Sequence, residues 1–127
     1  MTEPRPFRVL CFEDDPDLVR LLTRLLTRQP GVSVDHAGEG ANAVEVVLER
    51  RPDLVLLDIN MPDMDGYAVC KRLKADPRLK DIPVIFISAL TETLDKVRAF
   101  QAGGVDYVAK PFDAEEVGAR VQTHLTL

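Results

Sequence analysis

The 127 residues, 46% apolar and 29% charged, have the composition of an ordinary globular protein, and the length fits a single domain with its core over about residues 7–125 and excludes a second. Sixteen basic against 21 acidic residues leave a formal charge of −5, which disfavours direct nucleic-acid binding by the domain itself; DNA contact would need another domain. No apolar run approaches the roughly 18 residues of a membrane span, and Met1 to Pro6 lacks the basic-then-apolar layout of a signal peptide, so a cytoplasmic protein with no membrane contact is expected.

Phe7 to Phe12 reads as a first strand running into Glu13-Asp14-Asp15. Pro16 suits the first helical position with Asp15 as N-cap, and Leu18, Leu21, Leu22, Leu25 and Leu26 recur at helical spacing until Gln29-Pro30-Gly31 stops the helix. Val32 to His36 is a short second strand. A second helix follows over Ala41 to Arg50, with Ala41, Val44, Val47 and Leu48 as its apolar positions.

Leu54-Val55-Leu56-Leu57 is a strand buried on both faces that delivers Asp58 at its carboxyl end. Asn60, Met61 and Pro62 end the ladder there, and Asp63 to Gly66 is turn chemistry leading into a third helix. That helix carries Tyr67, Val69, Cys70 and Leu73, and Asp76-Pro77 ends it. Cys11 and Cys70 are too few and too separated for a disulfide framework or a metal knuckle, and both are expected as buried thiols.

Pro83 to Ser88 is a fourth buried strand. Thr91 to Ala102 is a weaker helix with Leu94, Val97 and Phe100 apolar, ended by Gly103-Gly104. Asp106 to Ala109 is a fifth strand with Lys110 at its tip, and Asp113 with Glu116 opens a last helix, capping-box fashion, that carries Val117, Val121 and Leu125. Strands alternating with helices argue an α/β fold, a parallel sheet covered on both faces through right-handed crossovers.

Four strand tips end in polar groups: Glu13 and Asp14, Asp58, Ser88, and Lys110. By analogy with doubly wound flavodoxin-like (βα)5 folds, whose strand order is 2-1-3-4-5, these groups would converge on one crevice at the switch point. Crowded carboxylates repel by roughly 4 kcal/mol per pair at about 4 Å and an effective dielectric near 20, so a positive charge must sit among them. Lys110 supplies one, and an all-oxygen set with no His or Cys placed to ligate suits Mg²⁺ rather than Zn²⁺. One carboxylate so neutralised is a usable nucleophile toward phosphorus. Taken alone, Glu13 and Asp14 would serve equally well as acids favoured at a helix N-terminus.

The runs Val9 to Pro16 and Leu56 to Gly66, the pair Ser88-Ala89, and Tyr107 to Phe112, in this order and at these separations, resemble the receiver domain of two-component response regulators over nearly the whole chain. The resemblance implies that Asp58 accepts a phosphoryl group from a histidine kinase or phosphotransfer protein. Glu13, Asp14, Asp58 and the backbone carbonyl of Asn60 would hold Mg²⁺. Lys110 and Ser88 would contact phosphoryl oxygens, and Tyr107 would be the aromatic that turns inward as Ser88 moves. Lys110-Pro111 resembles the family's cis peptide, which aims the lysine into the site.

Such a protein is a switch that catalyses its own phosphorylation and slow dephosphorylation, not an enzyme acting on an outside substrate. The ending Arg120 to Leu125 looks like receivers that continue into a cyclase or kinase output domain, in cis or in trans, and the family commonly docks to itself through the fourth helix, fifth strand and fifth helix. The alternatives fit less well. A haloacid-dehalogenase phosphatase needs a second Asp where Asn60 stands, and a nucleotide or flavin binder needs a glycine-rich turn where Glu13-Asp14-Asp15 stands. Pro62 interrupts a calcium loop. A pseudo-receiver, used only for docking or dimerisation, would not require the acid, hydroxyl and lysine set. His36 and His124 have no catalytic neighbour in sequence and are read as structural.

Overall fold

The computed structural model describes residues 6–89, 93–110 and 113–126, apart from the side chains at 89, 93–96, 110, 114 and 126. The elements run β1(Phe7–Phe12), α1(Pro16–Leu26), β2(Val32–Ala37), α2(Ala43–Arg50), β3(Leu54–Asp58), α3(Gly66–Ala75), β4(Val84–Ala89), α4(Thr93–Gln101), β5(Asp106–Lys110) and α5(Ala114–Thr126). All strand pairs are parallel and the sheet order is β2-β1-β3-β4-β5, so β1 and β3 are central neighbours.

Alternation along the strands divides the core. On one face Leu10, Phe12, Val55, Leu57, Phe86 and Tyr107 pack with residues of α2, α3 and α4. On the other, Val9, Cys11, Leu54, Leu56, Ile85 and Val108 pack with Leu22 and Leu26 of α1 and Val117 and Val121 of α5. Both cysteines are buried and neither is in a disulfide, with one on each face, as expected.

The helix signals hold closely at most ends. Asp15 caps α1 by accepting from the Asp17 N–H at 2.9 Å, with Pro16 in the first turn. Asp113 caps α5 by accepting from Glu115 N at 2.9 Å and Glu116 N at 3.2 Å. The Glu116 carboxylate, expected to complete a capping box, instead accepts from Arg120 Nε at 3.1 Å, an i,i+4 pair. α2 starts two residues later than expected: Ala41 is exposed, and Ala43 and Val47 are the residues that reach the core. Leu21, expected on the apolar stripe of α1, is 40% exposed, because only Leu22 and Leu26 are fully buried against the sheet.

The largest departure is in α4. Val97 and Phe100, expected inward, are 53% and 56% exposed, and Ala99 and Ala102 meet the sheet instead. The space is already occupied: a Cβ on Gly104 would lie 2.5 Å from the Phe86 ring, and that ring packs against Tyr67 with centroids 5.3 Å apart. Only small side chains fit between α4 and these rings. The Leu94 side chain, and the expected start of this helix at Thr91, lie outside the described residues.

Candidate functional site

Because β1 and β3 pair directly, residues just beyond their carboxyl ends meet. Glu13 and Asp14 follow β1, Asp58 closes β3, and one carboxylate oxygen of each lies within 4.8 Å of the others. Glu13 and Asp58 are 2% and 3% exposed, whereas Asp14 faces solvent. Both buried acids are oriented by main chain: Glu13 Oε2 accepts from Asp14 N at 3.0 Å, and Asp58 Oδ1 accepts from Asn60 N at 3.0 Å.

The loop after β3 is built to stop the strand and start a helix. Asn60 and Asp65 form an isolated antiparallel bridge, and Gly66 N donates to Ile59 O at 2.9 Å, closing the loop at its base. Asp65 then caps α3, accepting from Tyr67 N at 3.0 Å. Gly66 is required by close approach, since a Cβ there would lie 2.5 Å from the Asp58 carbonyl oxygen. Asp14, Ile59, Asn60, Met61, Pro62 and Asp65 line an open depression of about 480 Å³ beside the acids.

Of the remaining expected residues, Ser88 and Lys110 stand at the carboxyl ends of β4 and β5, the same end of the sheet as the acids, whereas Tyr107 lies near the start of β5. Asp58 pairs in register with Ile87, so Ser88, 3% exposed, stands one residue beyond it on the neighbouring strand. Ser88 is opposite Ala109, and Lys110 ends β5 opposite Ala89. The Lys110 side chain, with Pro111 and the expected cis peptide, lies outside the described residues. Tyr107, opposite Phe86, is 8% exposed and belongs to the core on the α3 and α4 face.

The donor set fits the metal expected from the sequence. Three carboxylates, with no sulfur or imidazole among them, suit a hard dication; Mg²⁺ usually keeps several waters, so the three need not all bind it directly. A carboxylate pair 4.8 Å apart repels by roughly 3 kcal/mol at an effective dielectric near 20, which a bound cation would reverse.

Two contacts at the site had no role assigned from sequence. The Arg98 guanidinium of α4 lies 4.3 Å over the Tyr67 ring, with Nη2 3.7 Å from Asp65 Oδ2, linking α4 to the rim of the depression. Asp63 accepts from the backbone of the turn before α2. The Asp65-Gly66 pair before an apolar stripe was a readable N-cap signal, but the partners of Arg98 and Asp63 are set by packing alone.

Residues 9–122 match the sequence model of the response regulator receiver domain. The chain is 42% identical over 118 residues to the DNA-binding response regulator MtrA of Mycolicibacterium smegmatis, covering 93% of this chain and 50% of MtrA. It is 40% identical over 118 residues to the DNA-binding dual master transcriptional regulator RpaA of Synechocystis sp., covering 93% and 48%. The chain thus spans about half the length of these curated relatives. Among solved structures, it superposes with TM-score 0.85 and 29% identity on the receiver domain of sensor histidine kinase PA1611 from Pseudomonas aeruginosa, covering 96% of this chain and 99% of that one. That structure has a magnesium ion coordinated in its active-site cleft.

Proposed function

The chain belongs to the response regulator receiver domain family of two-component signalling, and from that premise we propose that Asp58 is its phosphoacceptor. The observation that carries this reading is the packing of Glu13, Asp14 and Asp58 around one point at the switch of the sheet. These three, with the backbone carbonyl of Asn60, would hold Mg²⁺; when bound, the ion supplies charge neutralisation for the incoming phosphoryl oxygens. The magnesium in the cleft of the PA1611 receiver supports that assignment.

In the transfer, an Asp58 carboxylate oxygen bonds to phosphorus while the P–N bond to the donor's imidazole breaks and its electron pair returns to the ring nitrogen. Little covalent machinery is needed beyond alignment and charge compensation, so the receiver promotes its own phosphorylation and the later slow hydrolysis. Lys110 and Ser88 would contact the phosphoryl oxygens, and Tyr107 would follow Ser88 as the switch. The new charge of about −2 would bias two pre-existing conformations.

The donor is a sensor histidine kinase or a histidine phosphotransfer protein. For the output, the cyclase or kinase domain expected from the sequence gives way to a DNA-binding one, because the curated relatives are named as DNA-binding regulators and are twice as long. Residues 1–127 would then be the single receiver domain of such a regulator, acting in the cytoplasm. No described helix is long and apolar enough to cross a membrane. Phosphorylation would favour a homodimer through α4, β5 and α5.

Incubation with acetyl phosphate and Mg²⁺, read by intact mass, tests the acceptor. One added phosphate is expected on the native chain, none on Asp58→Asn, and none in a chelator. Full labelling of Asp58→Asn would move the site elsewhere, and no labelling of the native chain by acetyl phosphate or a histidine kinase would leave a docking module in its place.

A further inference from the structure

The loop between β3 and α3 is fastened at its tip as well as at its base. Asp63 Oδ2 accepts from Gly40 N at 2.9 Å and from Ala41 N at 2.9 Å, and Oδ1 lies 3.2 Å from Gly40 N. The turn that donates these bonds is itself seated on the loop. Gly40 is buried, and a Cβ there would lie 2.8 Å from Met61 Cε and 2.9 Å from Val69 Cγ2. The N–H groups of Ala41 and Gly40 hold the Asp63 carboxyl below the usual carboxylate range, so it is ionised and accepting at neutral pH.

Between the Asn60–Asp65 bridge at the base and Asp63 at the tip run Met61 and Pro62, which with Asn60 wall the depression beside the three acids. Asp63 is not among the lining residues; its carboxylate points to the turn before α2. From this geometry we infer that Asp63 is a positioning residue. By clasping the turn at Gly40 and Ala41 it holds the backbone of Asn60 to Pro62 in the form that receives Mg²⁺, and it sets the affinity of the site for the ion without touching it. The inference rests on the Mg²⁺ reading of Glu13, Asp14, Asp58 and the Asn60 carbonyl. A loop released at its tip must be ordered when the ion binds, and that ordering entropy is subtracted from affinity.

The test is a Mg²⁺ titration followed by the backbone amide resonances of Asp14 and Asn60, in the native chain, Asp63→Ala, Asp63→Asn and Val121→Ala. Val121, on α5, is fully buried on the opposite face of the sheet, so its truncation lowers global stability and leaves the clasp intact. Losing the partly exposed hydrogen bonds from Gly40 and Ala41 predicts a dissociation constant raised roughly three- to tenfold in Asp63→Ala. Asp63→Asn, which keeps one acceptor oxygen, should fall between it and the native chain. Amide hydrogen exchange at Gly40 and Ala41 should quicken in both, and Val121→Ala should bind Mg²⁺ within twofold of native.

Native affinity in Asp63→Ala, or equal weakening in Val121→Ala, overturns the clasp. A native chain whose Asp14 and Asn60 resonances ignore Mg²⁺ overturns the metal reading beneath it, a separate and distinguishable result.

Discussion

At Asp106 opposing effects act on one carboxylate. Burial pushes its pKa up, but hydrogen bonds from Tyr107 N, Arg120 and His124 more than offset this and hold it below its ordinary 3.8. Arg120 Nη1 lies 2.6 Å from Oδ1, and His124 Nε2 lies 3.0 Å from Oδ2. His124, read from the sequence as structural, is part of the join between β5 and α5, eighteen residues from its partner. A carboxyl depressed by folding stabilises the fold fully above its unfolded value, and that stability is lost as pH falls through the lower folded one. The urea midpoint of the native chain should fall as pH drops through and below 3.8, and Asp106→Asn should show a shallower fall. Asp63 and Asp76 are also depressed, so the difference between the two curves is what reports on Asp106. Identical acid slopes would contradict the assignment.

Among the elements, α4 is set apart by what it leaves uncovered. Docking through Ala99 and Ala102 turns Val97 and Phe100 outward, and Val105 at the entry to β5 is also 38% exposed. Large apolar side chains turned outward on one helix mark a contact surface more often than single scattered ones do, and α4 and α5 also carry the charged residues Arg98, Glu116 and Arg120. Sedimentation with beryllofluoride and Mg²⁺ should convert the monomer to a dimer, and Val97→Asp with Phe100→Asp should keep it monomeric. A dimer that survives both changes would place the interface elsewhere. The apolar periodicity of α4 was legible in the sequence; its direction was not. A spacing of three and four residues says that a stripe exists, and the rings of Phe86 and Tyr67 decide which side of the helix can approach the sheet.

For the whole molecule, charge and length bear on the output. At −5 the chain has no excess of cations to exchange for condensed counterions, so the 127 residues alone should not shift duplex DNA at physiological salt. A regulator carrying them together with a DNA-binding domain should shift it. A mobility shift by the isolated chain would assign DNA contact to the receiver itself.

Element order, the buried strands, most helix caps and the placement of acids at strand tips were determined by the sequence alone, because each depends on residues within a few positions of one another. The meeting of Glu13 and Asp14 with Asp58, by contrast, came into the reading only through analogy and resemblance. Tertiary structure decided it by pairing β1 with β3, just as it decided the clasp of Asp63 on Gly40 and the joining of Asp106 to His124. Periodicity records whether a side chain turns toward a core, but which partner it finds there depends on strand order and helix docking, set by contacts between segments far apart in the chain.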